Sequence, residues 1–235
     1  MLLLVALLPL TACQSNWEKK GEAAQASGSG ATRTYAATGF TGIDVRGSDD
    51  VDVKTGQTFS VTADGDPKVL DQLDVRVVDG TLRVGRKNSN WSSNDQGARV
   101  HVVLPKLTAA SVSGSGDLKV ERAEGDFEGS VSGSGNLDVA DLRANTADLS
   151  LAGSGDMRVA GTASKLSAAV AGSGDIDAKR LTAANADVSI AGSGNVFGTV
   201  KGPASVSIVG SGDAELGGGA KCSVSAVGSG EAHCS

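Results

Sequence analysis

Seven acidic or amide side chains recur at a nearly constant interval along the C-terminal half of the sequence: Asp117, Asn136, Asp156, Asp175, Asn195, Asp213 and Glu231. Oxygen-bearing side chains in such a column can hold cations or close turns. A calcium ion needs about six to eight converging oxygens, and one side chain per repeat supplies too few. The nonapeptide of calcium-binding β-rolls is also missing. Turn closure, in which Asp and Asn bond their own backbone, is the stronger reading, so no metal and no cofactor is expected. Cys222 and Cys234 could form a disulfide in an exported compartment; two free thiols or a metal pair remain as alternatives. His101 and His233 lie on alternating stretches with no Ser or Cys arranged beside them as a catalytic partner. Pairs of acids abound, but they follow the repeat, whereas catalytic residues should break one. One Tyr and two Trp offer few platforms for stacking sugars.

The elements that position these residues are set by a repeat. Gly-Ser-Gly begins at 114, 133, 153, 172, 192, 210 and 228, giving spacings of 19, 20, 19, 20, 18 and 18. The corner residues are Gly114, Gly116 and Asp117, then Gly133, Gly135 and Asn136, then Gly153, Gly155 and Asp156. They continue as Gly172, Gly174 and Asp175, then Gly192, Gly194 and Asn195, then Gly210, Gly212 and Asp213. Before each corner, apolar and polar residues alternate, as in Ala147-Asp148-Leu149-Ser150-Leu151. Period-two alternation marks a half-buried strand. After each corner comes apolar-x-apolar, as in Leu118-Lys119-Val120. A unit of 18–20 residues has no room for a crossover helix. The coils must therefore stack directly, with equivalent strands parallel and about 4.8 Å apart. The fold class is all-β, a right-handed parallel β-helix, because parallel crossovers are overwhelmingly right-handed. Glycine suits a corner that bends sharply and stacks closely. The outward column Lys119, Asp138, Arg158, Asp177 alternates in sign, which suits in-register stacking or is ordinary surface charge.

Four segments follow. Residues 1–12 read as a lipoprotein signal peptide and 13–36 as a flexible tether rich in Gly, Ser and Ala. Residues 37–107 are a less regular β region, and 108–235 the solenoid. Within 37–107, Gly47-Ser48-Asp49-Asp50 is a degenerate corner and Asp66-Pro67 starts a short helical turn. Val75 to Val84 with Asp79-Gly80 between is a β-hairpin. Asn88 to Gly97 is a polar loop, and Arg99 to Leu104 a strand. A net charge of -6 leaves no basic face for nucleic acid.

Leu2 to Leu10 are apolar, and Leu10-Thr11-Ala12-Cys13 follows. This resembles a bacterial lipobox, which implies cleavage before Cys13 and lipidation of its thiol. No Lys or Arg precedes the apolar run, a departure from that pattern. The body resembles the auto-transporter adhesin, head GIN domain family over about residues 37–235. The similarity rests on Phe40-x-x-Ile43-x-Val45, Asp50-Val51-x-Val53, Val77-Val78-Asp79-Gly80-Thr81-Leu82, and Val102-Val103-Leu104-Pro105 leading to Ser113-Gly114-Ser115-Gly116-Asp117. It implies a β-helical fold and an envelope location. The expected function is a non-catalytic, adhesin-like binding or scaffold module, exported and anchored by lipid, with the outer membrane as the expected site. Expected partners are the membrane and an envelope polysaccharide or protein. The alternative is a carbohydrate-active enzyme on a β-helix scaffold. The anchor is testable: Cys13→Ser should leave an unprocessed precursor without acyl label, and normal palmitate incorporation would refute the lipobox.

Overall fold

The computed structural model describes residues 21–87 and 97–235. Cys13, the start of the expected tether and nearly all of the expected polar loop lie outside the described residues. The chain runs through β1 (Ala26–Ser27), β2 (Thr32–Tyr35), β3 (Gly42–Gly47), β4 (Asp50–Thr55) and β5 (Ser60–Asp64). It continues through α1 (Pro67–Gln72), β6 (Leu73–Val78), β7 (Thr81–Arg86) and β8 (Arg99–Leu104). Then come β9 (Ala109–Gly114), β10 (Leu118–Val120), β11 (Ala123–Glu124), β12 (Phe127–Gly133), β13 (Leu137–Gly153), β14 (Met157–Gly172) and β15 (Ile176–Gly192). The last are β16 (Val196–Val200), β17 (Pro203–Gly210), β18 (Ala214–Gly217), β19 (Lys221–Gly228) and β20 (Ala232–Cys234). From β9 onward the strands stack as a parallel solenoid; the whole molecule makes about seven turns.

The alternation read from the sequence is the alternation of burial. Ala147, Leu149 and Leu151 are buried, while Asp148 and Ser150 face solvent. The stack keeps strict register: Leu149 pairs with Ala168, Ala168 with Val188, Val188 with Val206. Val, Leu, Ile and Ala therefore fill one narrow continuous core. The charged column is in register too, with Lys119 beside Asp138, Asp138 beside Arg158 and Arg158 beside Asp177. Arg158 nonetheless closes on Asp156 at 3.4 Å. Ion pairs between coils form elsewhere, as in Lys165–Asp187 at 2.7 Å and Arg122–Asp141 at 3.1 Å.

The N-terminal region does not stack in chain order. β3 lies between β7 and β9, and β4 between β8 and β10, all parallel. The coil made of β7 and β8 thus sits outside the coil that precedes it in sequence. Its far edge is closed by antiparallel strands: β6 on β7, and β5 on β8. β2 pairs with β5, and β1 with β2. Covering an edge in this way hides a row of unpaired backbone groups. The β6–β7 hairpin turns at Asp79 (φ 49°) and Gly80 (φ 76°), the positive-φ pair that suits a two-residue hairpin. Asp66 caps α1 by accepting from the Lys68 N–H at 2.8 Å, with Pro67 in the first turn.

One expectation is overturned. Residues 26–35, read as part of a flexible tether, form β1 and β2. Gly28 and Gly30 adopt positive φ and turn the chain between them. Tyr35 and Ala37 are buried in the core. The Ala24 N–H also donates to the Val75 carbonyl at 2.7 Å. Composition alone suggested a linker because Tyr35 is the one large apolar residue in this stretch. Pairing with β5, remote in sequence, makes it a strand.

The corners explain the glycines. Gly153 has φ 131°, a region costly for any side chain. Its carbonyl accepts both the Ser173 N–H at 2.9 Å and the Gly174 N–H at 3.2 Å from the next coil. Gly155 has a different reason: a Cβ there would overlap the Gly135 carbonyl oxygen one coil below. Gly155→Val should therefore force the coils apart and cost about 1–3 kcal/mol, the usual penalty of overpacking. An unchanged thermal midpoint would show that the corner has slack.

Candidate functional site

The acid and amide column is a ladder between coils, which corrects its reading as local turn closure. Along most of the column a side-chain oxygen accepts a backbone N–H from the coil above. Asp50 takes the Asp117 N–H at 3.1 Å, Asn136 that of Asp156 at 3.0 Å, and Asp156 that of Asp175 at 3.2 Å. Asp175 takes the Asn195 N–H at 2.8 Å, Asn195 that of Asp213 at 2.9 Å, and Asp213 that of Glu231 at 2.8 Å. The two amides also point downward as donors. Asn136 Nδ2 donates to Asp117 Oδ1 at 2.8 Å, and Asn195 Nδ2 donates to Asp175 Oδ1 at 3.0 Å. An amide accepts on one side and donates on the other, so it relieves repulsion between stacked carboxylates. This network engages one oxygen of most side chains in the column. No group of three or more metal-ligating side chains is arranged for an ion among the described residues.

The degenerate corner holds residues that the sequence reading did not single out. Gly47 pairs with Gly114, so Asp49 stands where Gly116 stands one coil on. A side chain at Gly116 would strike the backbone of Asp49. Below Asp49 in the stack, the link from β7 to β8 carries no Gly-Ser-Gly in its sequence. The Asp49 carboxylate is buried, 1% exposed. Arg86 grips it with Nε at 3.0 Å and Nη2 at 2.7 Å, and the Ala98 N–H donates at 2.8 Å. Such a buried pair is costly to break, about 3–5 kcal/mol when one partner is removed. The signal was in the sequence: Gly-Ser-Asp-Asp interrupts Gly-Ser-Gly-Asp.

Other chemistry-bearing residues are scattered. His101 lies between Asp52 (Nδ1 to Oδ2, 3.6 Å) and Asp64 (Nε2 to Oδ2, 3.4 Å) on β8. His233 faces Glu231 at 3.4 Å at the opposite end of the stack. Cys222 and Cys234 occupy adjacent core columns, above Ala204 and Leu216, and are joined as a disulfide with Cα atoms 6.3 Å apart. A cavity of about 240 Å³ lies beside α1, lined among others by Ala24, Tyr35, Leu70, Asp71, Asp74 and Val75. Its acids are engaged: Asp71 by Arg33 at 2.8 Å and Asp74 by Arg76 at 2.7 Å. Burial pushes the Tyr35 hydroxyl above its ordinary value, opposed by the charge of Arg33.

One outward sheet face is regular along the stack. Ser111, Ser130, Ser150, Ala169, Ser189, Ser207 and Ser225 form one column in register. The column nearer the corners runs Ser113, Ser132, Ala152, Ala171, Ala191, Val209 and Val227. Small side chains on parallel in-register strands leave this face flat.

The ladder yields a test that separates geometry from charge. Asp175→Asn keeps an acceptor oxygen and should change stability little. Asp175→Ala leaves the Asn195 N–H without its partner and should cost about 1–3 kcal/mol. Equal losses in the two thermal melts would argue that charge, not acceptance, matters.

Comparison with known proteins follows the same architecture. A "putative adhesin" from Bacteroides fragilis superposes with a TM-score of 0.78 at 23% identity, covering 87% of this chain and 96% of that one. A "putative lipid binding protein" from Parabacteroides distasonis gives 0.70 at 25% identity, covering 87% and 96%. A "putative adhesin" from Parabacteroides merdae gives 0.69 at 19% identity, covering 87% and 95%. Among curated proteins none matches the chain. The pattern of one family, described as "Putative auto-transporter adhesin, head GIN domain", matches residues 39–233. With the corner repeat, the hairpin and the parallel stack all inside that span, the chain belongs to the auto-transporter adhesin, head GIN domain family.

Proposed function

We propose that this protein is a non-catalytic envelope lipoprotein that binds a polymer or protein along a face of its solenoid. One observation carries the reading: an outward face of small side chains, mostly Ser and Ala, repeats in register from β9 to β19. Parallel stacking makes such a face rigid, so little ordering entropy is lost on contact. A face of this kind suits a repetitive partner such as an envelope polysaccharide, or the flat surface of another protein. The adhesin family supports a surface or extracellular location. The apolar run before Cys13 supports a lipid anchor, with the outer membrane as the proposed site. A carbohydrate-active enzyme would need free paired acids lining a cleft. The cavity beside α1 instead holds acids bound by Arg33 and Arg76.

The test is capture of envelope components by the full chain and by two paired variants. Ser150→Arg with Ser189→Arg puts bulk and charge on the flat face. Thr162→Arg with Thr182→Arg does the same on the return side of the coils. Capture should fall about tenfold or more for the first pair, a loss of at least about 1.4 kcal/mol, and stay unchanged for the second. Equal capture by both would remove the Ser and Ala face as the contact surface.

A further inference from the structure

The two ends of the solenoid differ, and the difference points to a partner. At the β7–β8 end, antiparallel β6 and β5 cover the coil edge. At the other end β19 pairs with β17 on one side and carries no strand on its far side among the described residues. Val224 and Ala226 stand in core columns, above Val206 and Ile208, yet both are exposed. The exposed large hydrophobics among the described residues are Val209 at 56%, Val224 at 48% and Val227 at 67%. All three gather at this end.

We infer that the β19 edge is the contact surface for a second copy of this chain, arranged end to end about a two-fold axis through Val224. Backbone direction supports this. The Lys221 N–H donates to Gly202 and the Ser229 N–H to Gly210, both on the coil below. Successive residues of a strand present their amides to opposite sides, so Cys222, Val224, Ala226 and Gly228 present theirs to the open edge. Of these, Cys222, Val224 and Ala226, the three in core columns, are symmetric about Val224. An antiparallel copy centred there pairs Val224 with the partner's Val224, and Cys222 with the partner's Ala226. It satisfies all three sets of backbone groups on each chain. It also continues the core across the junction, because the same three residues occupy core columns. A two-fold contact uses the same edge on both chains, so the edge is consumed and association closes at two copies.

Size sets the strength. Eight residues at about 3.3 Å each make an edge only about 26 Å long. One coil end of that length offers less than the roughly 800 Å² per partner of a stable interface. The dimer is therefore concentration-dependent, with Kd between about 1 μM and 1 mM.

Sedimentation equilibrium of the full chain in density-matched detergent reads this directly. The mass should rise toward two chains across that concentration range. Val224→Glu sets two carboxylates face to face on the axis and should hold the chain as a monomer with its thermal midpoint retained. Val227→Glu lies opposite the partner's Lys221 in this register and should tighten the dimer at low salt. A monomer at all concentrations, or a dimer indifferent to Val224→Glu, overturns the proposal; weaker association of Val227→Glu overturns the register.

Discussion

The structure depends on how closely one corner can sit upon the next. At each Gly-Ser-Gly the lower carbonyl accepts two N–H groups from the coil above, as Gly133 does from Ser154 at 2.9 Å and Gly155 at 3.1 Å. That contact leaves no volume for a Cβ on either glycine. Strict register follows, since a coil that slipped by one residue would place side chains where backbone must go. Register then creates columns: a core of Val, Leu, Ile and Ala, a flat Ser and Ala face, and the acid and amide ladder. None of these is a local property. Each exists because equivalent residues are stacked about 4.8 Å apart.

The exceptions show the same rule from the other side. Asp49 is allowed where Gly116 is required because the link from β7 to β8 does not repeat the Gly-Ser-Gly sequence. A buried carboxylate can therefore occupy that space, held by Arg86 and the Ala98 N–H. The ladder shows how a repeat tolerates acids in a column. Amides at 136 and 195 donate to the carboxylate below while accepting from the backbone above. The disulfide ties β19 to β20 on the last coil, whose core columns have nothing stacked upon them among the described residues.

A solenoid of this kind spends its sequence on architecture. The residues with the most chemistry, the corner acids and the buried Asp49, are committed to holding coils together. What remains for contact with other molecules is shape: long faces of small side chains, and the ends.

Much of the solenoid was legible from residue order, because the determinant is periodic. Glycine at fixed intervals, alternation of period two and the short repeat left a parallel stack as the natural solution, and Asp79-Gly80 marked its hairpin. Columns of site residues could be written down before any coordinates, and the structure keeps their register. Three things needed the tertiary structure. The coil of β7 and β8 lies outside β3 and β4, an order that no local signal encodes. The stretch from Ala26 to Tyr35 becomes two strands because β5 presents an edge to it, although its composition resembles a linker. The corner acids proved to bond the next coil, not their own turn. Composition and periodicity report what a segment prefers by itself; which strand covers which edge, and which N–H a carboxylate meets, is set by residues distant in sequence and brought within hydrogen-bond reach only by folding.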